Sequence, residues 1–182
     1  MRAHRDQEAV VVTLLTLESQ LLQGALEALL AGYPLQPGEL DAKTASVWYS
    51  SEGCRTAKMS EEETAEWLGA LHLMKGQRIS RIKRWLEILK SQEPSPELQR
   101  RLRIEVADAP DFLGVINDYR LLATARHDIG ELEMSERSLA DHVFRLPAEK
   151  ARALLEIDLL AWIMESILRC LDEAPPSGET AE

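Results

Sequence analysis

The sequence predicts a mainly α-helical protein of the α+β class, a single-core helical domain with a small antiparallel sheet or hairpin. Three observations lead to this prediction. Apolar residues recur every three or four positions over long stretches, which is the period of one helix face. Residues 10–15 and 100–106 are β-branched or alternating, as strands are. The 182 residues are 45% hydrophobic, enough for one core, so we expect one domain over residues 1–173 and a disordered tail over 174–182.

The first third of the chain is predicted to contain a strand, a helix and a hairpin. The run VVVTLL at residues 10–15 predicts the strand. Thr16 is placed to cap a helix over residues 17–31, which Gly32 would end. After the turn-rich loop GYPLQPG, the segments SVWYS and SEGCRTAK predict a pair of strands around Gly53.

A long helix is predicted to begin at Ser60, because Ser60 and Glu63 form a capping box. Its apolar stripe is interrupted by Lys75, Gly76 and Arg78, so we expect a kink near Gly76 or a break into two helices. Two interpretations remain open for the interruption. It is either a solvent-exposed bend or a place where Arg78 points at a partner.

The second half of the chain is predicted to hold one strand and two helices. EPSPE is a linker, and RRLRIEV alternates like a half-buried strand. Asp108 and Pro110 suit the start of a helix that Gly130 closes. Pro147 opens a last helix that reaches about residue 173 and is apolar on most faces, as a core helix or a subunit interface is. We place five of its residues at the centre of the core: Leu160, Trp162, Ile163, Ile167 and Leu171.

The stretch INDYRLLATARHDIG carries many polar residues on a helical pattern. Asn117, Arg120, Thr124 and His127 share one helix face, and we expect Arg120 or Arg126 to pair with an acid of the last helix, because an unpaired buried charge is costly. The predicted polar network comprises Asn117, Asp118, Arg120, Arg126, His127, Asp158 and Glu165. The alternative is that this face belongs to a small hydrolase or metal-dependent enzyme.

The charges are distributed unevenly along the chain. The net charge of −10 argues against general nucleic-acid binding, but nine basic and three acidic residues between Lys75 and Arg103 give that segment +6. An acidic protein partner is the expectation for this segment, with Arg78, Arg81, Lys83 and Arg84 as the recognition surface. The competing interpretation is that these residues pair with the protein's own acids.

The remaining motifs predict no metal and no cofactor. No two of the four histidines have metal-ligand spacing, and no Gly-rich phosphate loop is present. Cys54 lies in a predicted turn beside Arg55 and is a redox candidate if exposed, whereas Cys170 suits a core. No apolar run approaches the ~20 residues that span a bilayer, and we expect a cytoplasmic protein with no membrane contact.

The segments FLGVINDYRLLATARHDIG and LLAWIMESILRCL resemble a mainly actinobacterial family called domain of unknown function 2017. The shared pattern is an Asn-Asp-x-Arg-Leu run, a later Arg and a closing helix with a Trp and a Glu-Ser pair. Here these are Asn117, Asp118, Arg120, Leu121, Arg126, Trp162, Glu165 and Ser166. Thr124-Ala125 stands where the family usually has Gly-Thr. The resemblance implies a cytoplasmic protein without known catalytic residues, in transcription or stress regulation.

Together these observations favour a non-enzymatic regulatory or adaptor protein that acts by protein–protein contact. The alternative is the enzyme that uses the polar face between Asn117 and Asp128. A third expectation is a homodimer through the last helix, which exposed apolar residues on that helix would support.

Overall fold

A computed structural model describes residues 2–6, 8–92, 99–130 and 146–172. The strands are β1 (Arg2–Asp6), β2 (Ala9–Leu15) and β3 (Gln99–Glu105). The α-helices are α1 (Thr16–Gly32), α2 (Ala42–Trp48), α3 (Glu52–Thr56), α4 (Glu61–Ser91), α5 (Ala109–Arg126) and α6 (Ala148–Asp172). The mainly helical α+β class is therefore confirmed. The linker at 93–97, the segment at 131–144 and the tail at 174–182 lie outside the described residues.

The three strands form one antiparallel sheet in the order β1-β2-β3. Val10 pairs with Ile104 and Val12 with Leu102, and all four side chains are buried on one face. This alternation is the period-two pattern that predicted β3, whereas β2 was predicted from its run of β-branched and apolar residues. Strand β1 was not predicted, because its sequence RAHRD lacks an apolar alternation and it forms an edge of the sheet through backbone pairing to β2.

Helices α1, α4, α5 and α6 pack with the sheet around one large core. Trp85 of α4 and Phe112 of α5 meet edge to face there, with ring centroids 4.8 Å apart. In α6, Ile163 and Ile167 are buried as predicted, but Trp162 is 39% exposed, so its placement at the core centre is wrong. A helix that is apolar almost all round does not reveal from sequence which face turns inward.

The predicted strand pair around Gly53 is wrong, because residues 42–56 form helices α2 and α3. Asp41 starts α2, since its Oδ1 accepts a hydrogen bond from the Thr44 backbone N–H at 2.9 Å. The Thr16 cap is also wrong. Thr16 is the first residue of α1, and the Glu18 carboxylate accepts from the Leu15 backbone N–H at 2.7 Å.

Helix α4 runs unbroken for 31 residues, so of the two alternatives predicted at Gly76 the break into two helices is wrong. The capping box at its start is confirmed: Ser60 N–H donates to the Glu63 carboxylate at 2.7 Å, and Glu63 N–H donates to Ser60 Oγ at 3.2 Å. Helix α5 ends at Arg126 rather than at Gly130, because the backbone turns left-handed at Asp128, where φ is 48°.

Candidate functional site

Alternating charges join α4 to the start and middle of α5. We call this set the charge ladder; it comprises Lys75, Arg78, Arg81 and Arg84 of α4, and Asp108, Asp111 and Asp118 opposite them. The four cations recur every three residues along α4, and each lies about 60° around the helix from the one before. The row therefore crosses the helix obliquely, from the buried Lys75 to the half-exposed Arg84. The ladder explains why cations interrupt the apolar stripe without ending the helix.

Two aspartates at the start of α5 hold three arginines of α4. Arg81 Nε lies 2.9 Å from Asp108 Oδ1, and Arg81 Nη1 lies 2.9 Å from Asp111 Oδ2. Arg78 Nε donates to Asp111 Oδ1 at 3.1 Å, and Arg84 donates to Asp108. Burial raises the pKa of Asp108, but the hydrogen bonds from Arg81 and Arg84 outweigh it and hold that pKa below its ordinary value.

Gly114 makes room for the Arg78 guanidinium. A Cβ atom at Gly114 would lie 2.6 Å from Arg78 Nη2 and 2.9 Å from Arg78 Cζ. The guanidinium is thus held over the α5 backbone, and its Nη1 lies 3.5 Å from Asp118 Oδ2. The position of Arg78 therefore depends on the missing side chain at Gly114.

Lys75 occupies an aromatic cage at the end of the ladder. Its side chain is 2% exposed, and Nζ lies 2.6 Å from Asp118 Oδ2. The ring centroids of Tyr33, Trp48 and Tyr49 lie 5.3, 5.4 and 6.0 Å from Nζ, within cation–π range. Burial lowers the pKa of Lys75, and the Asp118 carboxylate opposes this shift.

Asp118 links three parts of the chain at the cage. The Tyr33 hydroxyl donates to Asp118 Oδ2 at 2.6 Å, and Trp48 Nε1 donates to the Asp118 carbonyl at 3.0 Å. Burial and the neighbouring carboxylate raise the pKa of Tyr33 well above its usual range. Trp48 also packs over Gly32, where a Cβ would lie 2.8 Å from its ring.

The cage does not have the features of a catalytic centre. Its ammonium group is enclosed by three rings and one carboxylate, and a catalytic lysine must be reachable by a substrate. The three cavities described in the molecule are lined by other residues. The cage instead fixes α2 and the end of α1 onto α4 and α5.

The predicted pairing of Arg120 or Arg126 with the last helix is wrong. Arg126 Nη2 lies 3.6 Å from Asp41 Oδ2, and Glu165 pairs with Arg169 on its own helix at 2.9 Å. Arg120 forms no ion pair within 4 Å of a described carboxylate. Its Nη1 donates to Met164 Sδ at 3.6 Å, and its buried Nε has no partner. Only Asp118 of the predicted network belongs to the ladder.

The other members of the predicted network do not converge on one point. Asn117 is exposed, and His127 is half-buried at the C-terminal end of α5. Burial raises the pKa of Asp158, which Arg120 partly opposes at a distance. None of these residues lines one of the three cavities described above.

The four residues of the predicted recognition surface separate into two groups. Arg78, Arg81 and Arg84 belong to the ladder, as the competing interpretation expected, although Arg84 stays 51% exposed. Lys83 is exposed and forms no ion pair with a described residue. It lines a shallow cavity of about 520 Å³ whose apolar walls are Leu30 and Leu86.

Both cysteine thiols of the chain are buried. Cys54 is 3% exposed within α3, so the exposure that a redox role required is absent, and the predicted turn is a helix. Cys170 is buried, as predicted. Across the described ranges, no group of three His, Cys, Asp or Glu residues could hold a metal ion. No helix in those ranges has the length and apolarity to cross a membrane.

Sequence patterns alone missed the cage residues. Tyr33 lies in the predicted loop, whereas Trp48 and Tyr49 lie at the end of a helix that was predicted as a strand. The distance of all three along the chain from Lys75 hides their contact with it. One signal was present: Lys75 lies inside an apolar stripe, and a buried lysine needs a counter-charge. Asp108, Asp111 and Asp118 share one side of the next long helix and were available as those counter-charges.

Apolar side chains are exposed at several places on the surface. Between α1 and α6 lies a groove of about 740 Å³, where Leu17 is 66% and Leu155 53% exposed. The rest of its lining comprises Gln20, Leu21, Leu146, Ala148, Ala151 and Arg152. The second place is the first half of α4, where Trp67, Leu73 and Met74 are exposed. Trp162 and Leu168 are exposed elsewhere on α6, so the homodimer through this helix stays a prediction.

Comparison with known proteins gives one match. A family model described as a domain of unknown function (DUF2017) matches residues 73–171, more than half of the chain. All seven residues of the charge ladder lie inside this region, whereas the aromatic cage lies before it. No curated protein and no solved structure gives a significant match.

Proposed function

Taking as the premise that the chain belongs to the DUF2017 family, we propose that it is a non-enzymatic regulatory or adaptor protein. It acts by protein–protein contact in the cytoplasm, in transcription or stress regulation. The family itself carries no assigned activity, so the proposal rests on the surfaces of this chain. The main cluster of titratable groups is closed within the fold, which favours a binding role over a catalytic one.

The groove between α1 and α6 carries the proposal. It exposes Leu17 and Leu155, and its lining includes one charged residue, Arg152. Scattered exposed leucines are ordinary, but two that line one concave surface are typical of a binding site. Arg152 is itself paired with Glu156 at 2.9 Å, so the groove presents little free charge.

We propose that the occupant of this groove is the apolar face of an amphipathic helix from a partner protein. Two neighbouring helices leave a trough into which a third helix packs, and such sites recognise residues spaced three or four positions apart. The anchoring residues of the partner would cover Leu17 and Leu155.

The test compares partner capture by the full chain and its variants. The groove variant is Leu17→Ser with Leu155→Ser. The control is Leu168→Ser, which changes an exposed leucine outside the groove. Circular dichroism first establishes that all three proteins fold alike. Loss of the same captured protein from the groove variant alone supports the proposal. Equal capture by all three contradicts it.

A second candidate function is recognition of an acidic protein by the basic segment. The ladder holds four cations against three carboxylates, and Lys83 beside it is exposed without an ion pair among the described residues. Lys83→Glu should then weaken binding and its salt dependence. The equal charge change Lys58→Glu, at an exposed site outside the segment, should not. An identical effect of both substitutions would refute specific recognition.

A further inference from the structure

The first half of α4 packs on the core through one side only, where Leu68 and Leu71 are partly buried. The helix is about 46 Å long at 1.5 Å per residue, and its buried residues begin only at Lys75. Over residues 61–74 no side chain is fully buried, and Leu73 is 63% exposed. Because helices in water are stabilised by the packing of apolar side chains, the exposed Trp67, Leu73 and Met74 offer a surface on which a neighbour can pack.

Two acid–base pairs of α4 are placed symmetrically, with opposite signs, about one point on the helix. That point lies between Leu73 and Met74, the two exposed apolar residues in the middle of the face. Glu66 precedes Leu73 by seven residues, and Arg81 follows Met74 by seven. Glu63 and Arg84 lie ten residues away on the two sides. Their spacings of three and four keep these residues on one side of the helix.

We propose that two copies of this chain pair antiparallel through this face of α4. The twofold axis passes between Leu73 and Met74, so that each Leu73 packs against Met74 of the second copy. Glu66 and Glu63 then lie opposite Arg81 and Arg84 of the second copy. This surface is separate from the groove between α1 and α6, so the dimer does not depend on the proposed function.

The charges on the face fit an antiparallel pair and oppose a parallel one. In a parallel pair Glu66 would face Glu66, and Arg84 would face Arg84, which is repulsive. Arg84 is bound to Asp108 but half exposed, so its outer edge is open to a second carboxylate. Glu66 is exposed and has no ion pair with a described residue.

The first experiment measures self-association of the full chain by sedimentation velocity. We expect a monomer–dimer equilibrium whose Kd rises with salt, because salt screens the paired charges. Leu73→Ser or Glu66→Lys should raise the dimer Kd at least about tenfold, whereas Leu168→Ser on α6 should leave it unchanged. A chain that stays monomeric at all concentrations overturns the proposal. So does a dimer that Leu168→Ser breaks and Leu73→Ser preserves.

The second experiment tests the orientation by disulfide cross-linking. Leu73→Cys lies at the axis and should cross-link with itself. Ala70→Cys and Gln77→Cys should each fail alone, because about 10 Å along the axis separates the two copies of each residue. When the two variants are mixed, they should cross-link with each other. Ala70 precedes Leu73 by three residues and Gln77 follows Met74 by three, so the two positions lie opposite each other across the axis. Self-cross-linking of both single variants, with no cross-link between Ala70→Cys and Gln77→Cys chains in the mixture, would show parallel pairing and refute the proposal.

Discussion

Removal of the Asp118 carboxylate should destabilise the protein strongly. Asp118 Oδ2 lies 2.6 Å from both Lys75 Nζ and the Tyr33 hydroxyl. In Asp118→Ala the Lys75 ammonium stays within the aromatic cage without a counter-charge. Breaking a buried ion pair from one side costs about 3–5 kcal/mol of unfolding free energy. At roughly 2–4 °C per kcal/mol for a chain of this size, the Tm should fall by about 6–20 °C.

Lys75→Met is the matched substitution, because it removes the charge and keeps an unbranched apolar side chain. Asp118 then still accepts from Tyr33 and stays 3.5 Å from Arg78. We expect a loss of about 1 kcal/mol, the usual size for one hydrogen-bonded contact. In the Lys75→Met background, Asp118→Ala should cost at least about 2 kcal/mol less than in the wild type, because no ammonium is left unpaired.

Urea unfolding followed by circular dichroism at neutral pH gives the four free energies of this cycle. A cost below about 1 kcal/mol for Asp118→Ala in the wild type would refute the assignment of the cage as a tightly coupled buried pair. An equal cost of Asp118→Ala in both backgrounds would refute it as well, since additive effects mean that the two residues do not interact.

Three other predictions follow from the same packing. Gly114→Ala should lower the Tm, because its Cβ would lie 2.6 Å from the Arg78 guanidinium. Gly76→Ala should raise the Tm slightly, because no atom lies within 4 Å of its Cβ. Equal changes in Tm for the two substitutions would contradict this prediction. Because the pKa of Tyr33 is raised above its ordinary 10.0, the folded state keeps a proton that the unfolded state releases. The unfolding free energy should therefore fall as the pH rises above about 10, and less so in Tyr33→Phe; parallel pH profiles would refute it. Cys54 is buried, so a thiol reagent should modify it only as fast as the protein opens, and rapid reaction in native buffer would contradict its burial.

Patterns of neighbouring residues predicted the elements that depend on contacts between residues close in sequence. The capping box at Ser60, the apolar run of β2 and the alternation of β3 depend on residues close in sequence, and each was confirmed. The segment around Trp48 was assigned to a strand because aromatic and β-branched residues favour strands. The cap at Asp41 and the contact of Trp48 with the cage outweigh that preference.

The charge ladder shows what local patterns cannot supply. Lys75 and Asp118 are each visible in the sequence, but their contact depends on how α4 and α5 pack after the chain has returned through β3. The expected partners of Arg126 lay on the last helix, yet it pairs with Asp41. Which charged residues pair with each other is decided by how the helices pack. The spacing of residues along one helix carries no information about that packing.

The central claim, that this chain works through protein contact at the groove, is tested most directly by the affinity of a captured partner. Isothermal titration calorimetry of the purified pair gives the Kd for wild type, for Leu17→Ser with Leu155→Ser, and for Leu168→Ser. Loss of two leucine contacts, each worth about 1.5–3 kcal/mol when fully buried, should raise the Kd of the groove variant more than about tenfold. The control should bind like the wild type. Equal affinity of the groove variant and the wild type would contradict the account.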